Sequence, residues 1–352
     1  MTTSNEVPKL LDELLRAGAP SGYEGPAAEV WRKAADFAEL SYDGIGSTFA
    51  RVGEAGPLVA IVGHIDEIGL IVTHIDEKGF LWFEPIGGWD PQILVGQRVE
   101  VTGREGIVPG VAGRKPIHLL EPDQRKKVVE LKSMHIDIGA ADCDEAETMV
   151  RVGDPVVIRT EPMQVAGSRL VSKSMDNRLG AYVALESTRR CAEGAGPGGS
   201  MAGVAAVQEE IGLFGARTSA FELKPDLAVA VDVTHATDAP GVDEKEVGVH
   251  PLGSGPVIGR GSTLSPKVFE LLVETAEAEG IEYSISASGR STGTDADAIQ
   301  IARSGIPTGL VSIPLRYMHS PVEMVDLNDV EATIALLAAF GSRIKAGVDL
   351  SR

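Results

Sequence analysis

Residues 58–67 read LVAIVGHIDE, six small or apolar positions in a row followed by His64, Asp66 and Glu67. A short apolar run without alternation suits a strand covered on both faces, as in a parallel sheet layered by helices. Three further runs repeat the pattern. Residues 201–207 (MAGVAAV) lead into Gln208, Glu209 and Glu210, residues 227–231 (LAVAV) lead into Asp232, and residues 309–313 (GLVSI) are soon followed by His319. Helical periodicity lies around and between them. Val7, Leu10, Leu11, Leu14 and Leu15 line one helix face ahead of Gly18 and Pro20. Helices are expected over about 177–190, 266–279 and 329–344. Ser265 is the N-cap of the second, with Pro266 in its first turn and Gly280 as its stop. Ile281, Tyr283 and Ile285 alternate with polar residues, as in a half-buried edge strand. The expected fold class is α/β, a three-layer α/β/α domain on a mixed, mostly parallel sheet.

The middle of the chain reads differently. From about 68 to 166, valine-rich stretches such as QRVEVTG, KKVVEL and DPVVIRT are separated by Gly and Pro, with no long helical pattern. That is the signature of a small β barrel or sandwich. The expected organisation is one α/β domain, 1–67 with 167–352, interrupted by an inserted β domain, 68–166.

Composition excludes whole classes of function. The chain has 352 residues, 43% apolar and 24% charged, enough to bury a large core. With 32 basic against 51 acidic residues the net charge is −19, which argues against a nucleic-acid backbone or an anionic membrane as partner. Cys143 and Cys191 form neither a zinc-ligand spacing nor a disulfide framework, so a reducing, cytoplasmic compartment is expected. The first twenty residues carry charges and no apolar core, unlike a signal peptide.

In open α/β sheets ligands bind beyond the carboxyl ends of the strands. The four apolar runs therefore deliver His64, Asp66, Glu209, Glu210, Asp232 and His319 to one edge, where Asp176, in SKSMDNR (172–178), can join them at the start of a helix. Imidazole mixed with carboxylate suits zinc, cobalt or manganese. Five ligands suffice for two ions that share one carboxylate, about 3.5–4 Å apart. Neighbouring residues of a strand point opposite ways, so Glu209 and Glu210 divide the work, one as ligand and one as general base. His-Ile-Asp also occurs at 74–76 and 135–137. The first of these reads as a hairpin turn and the second as part of the β insert.

The segments GHIDEIG (63–69), SMDNRLGA (174–181), VQEEIGLFGA (207–216), AVDVTHATD (230–238) and MHS (318–320), in this order, resemble the M42 family of metallo-aminopeptidases. GGWDPQILVGQRV (87–99) and STGTDADAI (291–299) are similar to it as well. The resemblance implies two divalent ions per subunit, zinc or cobalt, with manganese admitted. It implies that His64 and Glu210 bind one ion, Asp232 and His319 the other, and that Asp176 bridges. Glu209 would be the general base, Asp66 would orient His64, and the Thr294-Asp295 loop would line the substrate site. The insert would be a PDZ-like barrel that builds dimers, assembled into a homo-dodecamer with its active sites inside. The implied reaction is release of the N-terminal residue from short peptides with a free amine. The insert's place, before rather than after the Glu-Glu pair, disfavours a related deacylase of N-acyl amino acids. A glycoside hydrolase, suggested by the endoglucanase label of some family members, leaves both histidines unexplained. An idle binding scaffold leaves the intact ligand set unexplained.

Overall fold

A computed structural model describes residues 7–351; residues 1–6 and 352, the outer ends of the expected α/β domain, lie outside the described residues. Eight strands form the main sheet in the order Glu39–Tyr42, Thr48–Val52, Ser200–Ala206, Leu58–His64, Leu227–His235, Thr308–Leu315, Val257–Gly261, Ser284–Ser288. The four central strands are adjacent and mutually parallel, with Ala206 beside His64 and Asp232 beside Ser312. Their carboxyl ends therefore share one edge. Every residue of Leu58–His64, Ser200–Ala206 and Thr308–Leu315 is buried, which is why these strands read as unbroken apolar runs.

One face of the sheet packs against the helices Lys9–Arg16, Gly25–Ala34, Met175–Glu193, Pro266–Glu279 and Leu327–Arg343, whose Leu11, Trp31, Leu179, Leu272 and Leu337 join one core. Phe214–Leu223 and Asp295–Ile299 cover the other face through Ala216, Ala220, Ala296 and Ile299. The three-layer α/β/α arrangement is as expected. So are the ends of Pro266–Glu279: the Ser265 hydroxyl accepts the Val268 N–H, and Gly280 closes the helix at φ 65°. Helix Met175–Glu193 lies hard against the sheet. A Cβ added to Gly63 would stand 2.1 Å from the carbonyl carbon of Gly180, so only two glycines allow this approach.

Six strands between Gly69 and Ile158 close into a barrel, all pairings antiparallel, around Leu70, Leu81, Val99, Val101, Ile136 and Val156. The expected β insert is thus a closed barrel. In it His74-Ile75-Asp76 ends a strand, and the Asp76 carboxylate accepts the N–H groups of Lys78 and Phe80 in the hairpin turn. His135 lies in the barrel strand Met134–Asp137.

Two differences from the sequence reading matter. The edge strand begins at Ser284, and Ile285 is exposed. Ile281 instead donates its N–H to Ala276 at the helix stop, and with Tyr283 it packs on the core, which shifts the strand's facing by one residue. A three-stranded sheet of Met163–Gln164, Arg169–Ser172 and Glu323–Asp326 was not anticipated; its strands are two to four residues long, too short for a period to show.

Candidate metal centre

The sheet's carboxyl edge collects the expected residues. His64 is the last residue of its strand, Asp66 follows it, and Glu209 and Glu210 follow Ser200–Ala206. Asp232 lies within its strand, which runs on to His235, four residues beyond the apolar run. Asp176 stands in the first turn of Met175–Glu193 with non-helical φ −79° and ψ 103°. His319 sits on the loop after Thr308–Leu315 in left-handed backbone, φ 57°. Ser174, Gln208, Leu213 and Tyr317 are left-handed too, so five of the seven such non-glycine positions among the described residues border this edge. Backbone strain of this kind concentrates where side chains must be aimed.

His64 Nε2 lies 3.2 Å from Asp176 Oδ1 and 3.7 Å from Glu209 Oε2. His319 Nε2 lies 3.3 Å from Asp176 Oδ2 and 3.4 Å from Glu210 Oε1. Asp176 thus stands between the two imidazoles with one oxygen for each. Donor atoms of His64, Asp176 and Glu210 all fall within 4.8 Å of one another, as do those of His64, Glu209 and Asp232. Ligands on one zinc-sized ion, each about 2.0–2.2 Å from it, are spaced within this range. The carboxylates within 4 Å of His319 Nε2 are Asp176 and Glu210.

Behind the imidazoles lie their supports. Asp66 Oδ1 is 3.3 Å from His64 Nδ1, close enough for charge pairing without an aligned hydrogen bond. The same carboxylate accepts the N–H groups of Glu209 and Glu210 and the Ser21 hydroxyl, tying two strand ends together. His319 Nδ1 is 2.8 Å from the Gly88 carbonyl oxygen, which presents Nε2 to the centre. Glu67 is turned away, into a buried network with Lys173, Arg178 and Ser174.

The electrostatics point to missing positive charge. Burial pushes Glu209 up to about 8, with Asp295, Glu210 and Asp176 adding to it against His64. Burial also raises Glu210 and drives Asp232 well above the usual carboxylate range. Asp176 falls below that range because His319 and His64 outweigh its burial. His319 is raised to about 11 by Asp176 and Glu210. His64 is raised despite burial, by Glu209, Asp176 and Asp66. Glu210 Oε1 is buried without a hydrogen-bond partner. Crowded buried acids of this kind need cations or protons, and the donor set of imidazole and carboxylate fits divalent metal.

Of the other residues singled out, Thr294 caps its short helix through the Ala296 N–H. Asp295 is buried with both oxygens unpartnered and is pushed up to about 8 by burial, with Asp232 and Asp66 adding to it against His64. Asp238 pairs with Arg316, and His235 is exposed at its strand end. The sequence does not single out Ser21, the Gly88 carbonyl or Glu323; Ser21 and Gly88 come from distant segments, and Glu323 stands four residues past His319.

The family model described as M42 glutamyl aminopeptidase matches residues 46–336. The chain is 35% identical to the lysyl aminopeptidase of Pyrococcus furiosus over 345 residues, 96% of this chain and 97% of that one. It is similar to the crystal structure of the TET aminopeptidase from the marine sediment archaeon Thaumarchaeota archaeon SCGC AB-539-E09, with TM-score 0.91, 35% identity and 96% of each chain covered. The TET1 peptidase of Pyrococcus horikoshii, described as assembling into a tetrahedron or a large octahedral shell, matches with TM-score 0.85 and 32% identity over 95% of this chain and 99% of that one. No helix among the described residues is long and apolar enough to cross a membrane. A chain matched by one family over most of its length, with that family's motifs gathered at one sheet edge, belongs to the M42 peptidases and is a peptide hydrolase of the aminopeptidase class.

Proposed function

We propose that the chain is a two-metal aminopeptidase that removes the N-terminal residue from short peptides. One observation carries the reading: two imidazoles and three further carboxylates, those of Glu209, Glu210 and Asp232, gather around Asp176 with too little positive charge among them. The grouping we infer has His64 and Asp232 on one ion and Glu210 and His319 on the other, with Asp176 shared. Zinc or cobalt suits these donors, and manganese is admitted. Bound there, such ions would polarise a scissile carbonyl and make water acidic enough to lose a proton near neutrality.

The chain's own residues do the rest. Glu209, beside His64 and raised above the usual carboxylate range by burial, takes the proton from the attacking water. As the peptide C–N bond breaks, the same carboxyl gives that proton to the departing amine. Asp66 keeps His64 in place, and its two bonds to the 209–210 backbone hold the base at a constant distance from the ligands. A glycosidase needs two carboxyls flanking a sugar, and leaves His64 and His319 without a role.

The α/β segments, 1–67 and 167–352, are the catalytic unit in this reading, and 68–166 is the assembly domain. The shells described for the TET relatives support a homo-oligomer built from dimers, a dodecamer, whose interior admits peptides but not folded proteins. The acidic charge and the lack of a disulfide pattern support a cytoplasmic enzyme.

The test is an assay of metal-stripped protein with added Zn²⁺, Co²⁺ or Mn²⁺ on short peptides and their N-acetylated twins. Metal-dependent release of the first residue from free peptides alone is expected. Cleavage of the acetylated twins would replace the reading with a deacylase, and bound metal without turnover of either would leave a binding scaffold.

A further inference from the structure

The loop carrying His319 is closed at its base by two backbone hydrogen bonds between Arg316 and Met324, but no helix or strand holds His319 itself. It leaves Thr308–Leu315, passes left-handed at Tyr317 and His319, and returns as the strand Glu323–Asp326. Glu323, buried at the start of that strand, reaches back. Its Oε1 accepts the backbone N–H of His319 at 2.8 Å, and its Oε2 accepts the backbone N–H of Asp176 at 3.2 Å. These donors belong to segments far apart in sequence, and both residues have backbone that no helix or strand imposes. Their side chains then meet, His319 Nε2 to Asp176 Oδ2, at 3.3 Å. The three contacts form a closed ring through one carboxylate.

Glu323 is itself held in register, since its strand pairs antiparallel with Arg169–Ser172 and Glu323 stands opposite Ser172, four residues before Asp176. A carboxyl buried next to Asp176 adds acid where acid is already crowded, and an apolar residue would fill the space at less electrostatic cost. Its use lies in the two main-chain donors it joins. Both of its oxygens are engaged by these donors.

We propose that Glu323 is a positioning residue that assembles the Asp176–Glu210–His319 half of the centre, so that the affinity of the ion held there depends on it more strongly than that of the other ion, which Glu323 reaches only through the shared Asp176. The proposal rests on the two-ion reading above. His319 is fixed at its main chain by Glu323 and at its ring by the Gly88 carbonyl, so removing Glu323 frees the main chain and leaves the ring tethered. Losing an outer partner of this type weakens metal binding by about 10–100-fold.

The experiment is calorimetric and visible-absorption titration of the metal-stripped full-length protein with Co²⁺, for the wild type, His319→Ala, Glu323→Ala and Glu323→Gln. Glutamine keeps the shape and one acceptor, so it decides the matter should alanine not fold. The wild type is expected to take two ions and His319→Ala one. The Glu323 variants should take two, one of them about 10–100-fold more weakly and with an altered absorption band, the other weakened less, since it meets Glu323 only through Asp176. Equal weakening of both ions, or wild-type affinity for both, overturns the role of Glu323 alone. A wild type that takes a single ion overturns the two-ion reading and this proposal with it.

Discussion

Gly63→Ala should damage fold and centre together. The new Cβ would stand 2.1 Å from the carbonyl carbon of Gly180, 2.4 Å from its oxygen and 2.5 Å from the Ala181 nitrogen. Ordinary contacts begin near 3.4 Å, and every atom met is backbone, which cannot rotate away. The strand Leu58–His64 and the helix Met175–Glu193 must part by about 1 Å. Overpacking a tight core costs about 1–3 kcal/mol, and a clash between two main chains belongs at the upper end or beyond it. The separation also falls on the centre, because His64 is the next residue on the strand and Asp176 lies on the helix, 3.2 Å from it. A misplacement of about 1 Å costs on the order of 100-fold in rate. Urea unfolding and metal titration read the two effects. Gly44→Ala, whose Cβ meets nothing within 4 Å, is the control and should unfold like the wild type. A Gly63→Ala protein with wild-type midpoint and wild-type ion affinity would show slack between strand and helix and refute the argument.

Glu209→Gln should keep its ions and lose about 10²–10⁴-fold in kcat, read by steady-state kinetics on a free dipeptide; near-wild-type turnover would remove Glu209 as the base. Asp176→Ala should lose both ions, since it offers one oxygen to each imidazole, and full occupancy by elemental analysis would end the shared-ligand assignment. Asp329 lies away from the centre and accepts the N–H groups of Gly253 and Gly255, yet burial pushes it up to about 7. Its folded value exceeds its unfolded value of about 3.9, so the fold binds the extra proton. Stability from this group is full below about pH 4 and falls as pH rises to 7, by on the order of 2–4 kcal/mol. Asp329→Asn should flatten that slope in urea melts taken between pH 4 and 8, and parallel curves for the two proteins would count against it.

Much of this was legible because the chemistry and the strands coincide in sequence. Each buried strand is an unbroken apolar run, and a polar residue at or just past its end is already aimed at the carboxyl edge. Asp232 was found this way although its strand continues beyond it. What escaped was short or remote. The strand Glu323–Asp326 has four residues, the Gly88 carbonyl has no side-chain signature, and Ser21 meets Asp66 across 45 positions. The inward facing assigned to Ile285 failed because the helix stop at Gly280 claims Ile281 first.

The sequence by itself determined the layered α/β class, the barrel inserted after the first buried strand, the residue types of the centre and the family, because burial on both faces and metal-ligand chemistry each restrict which residues a position accepts. Only the tertiary structure decided which carboxylates His319 faces, which main-chain groups hold it, and that Asp176 stands between the imidazoles with one oxygen for each. Those relations join segments separated by up to 231 positions. They are set by how the insert, the small sheet and the helix Met175–Glu193 pack together, and no local pattern encodes such contacts.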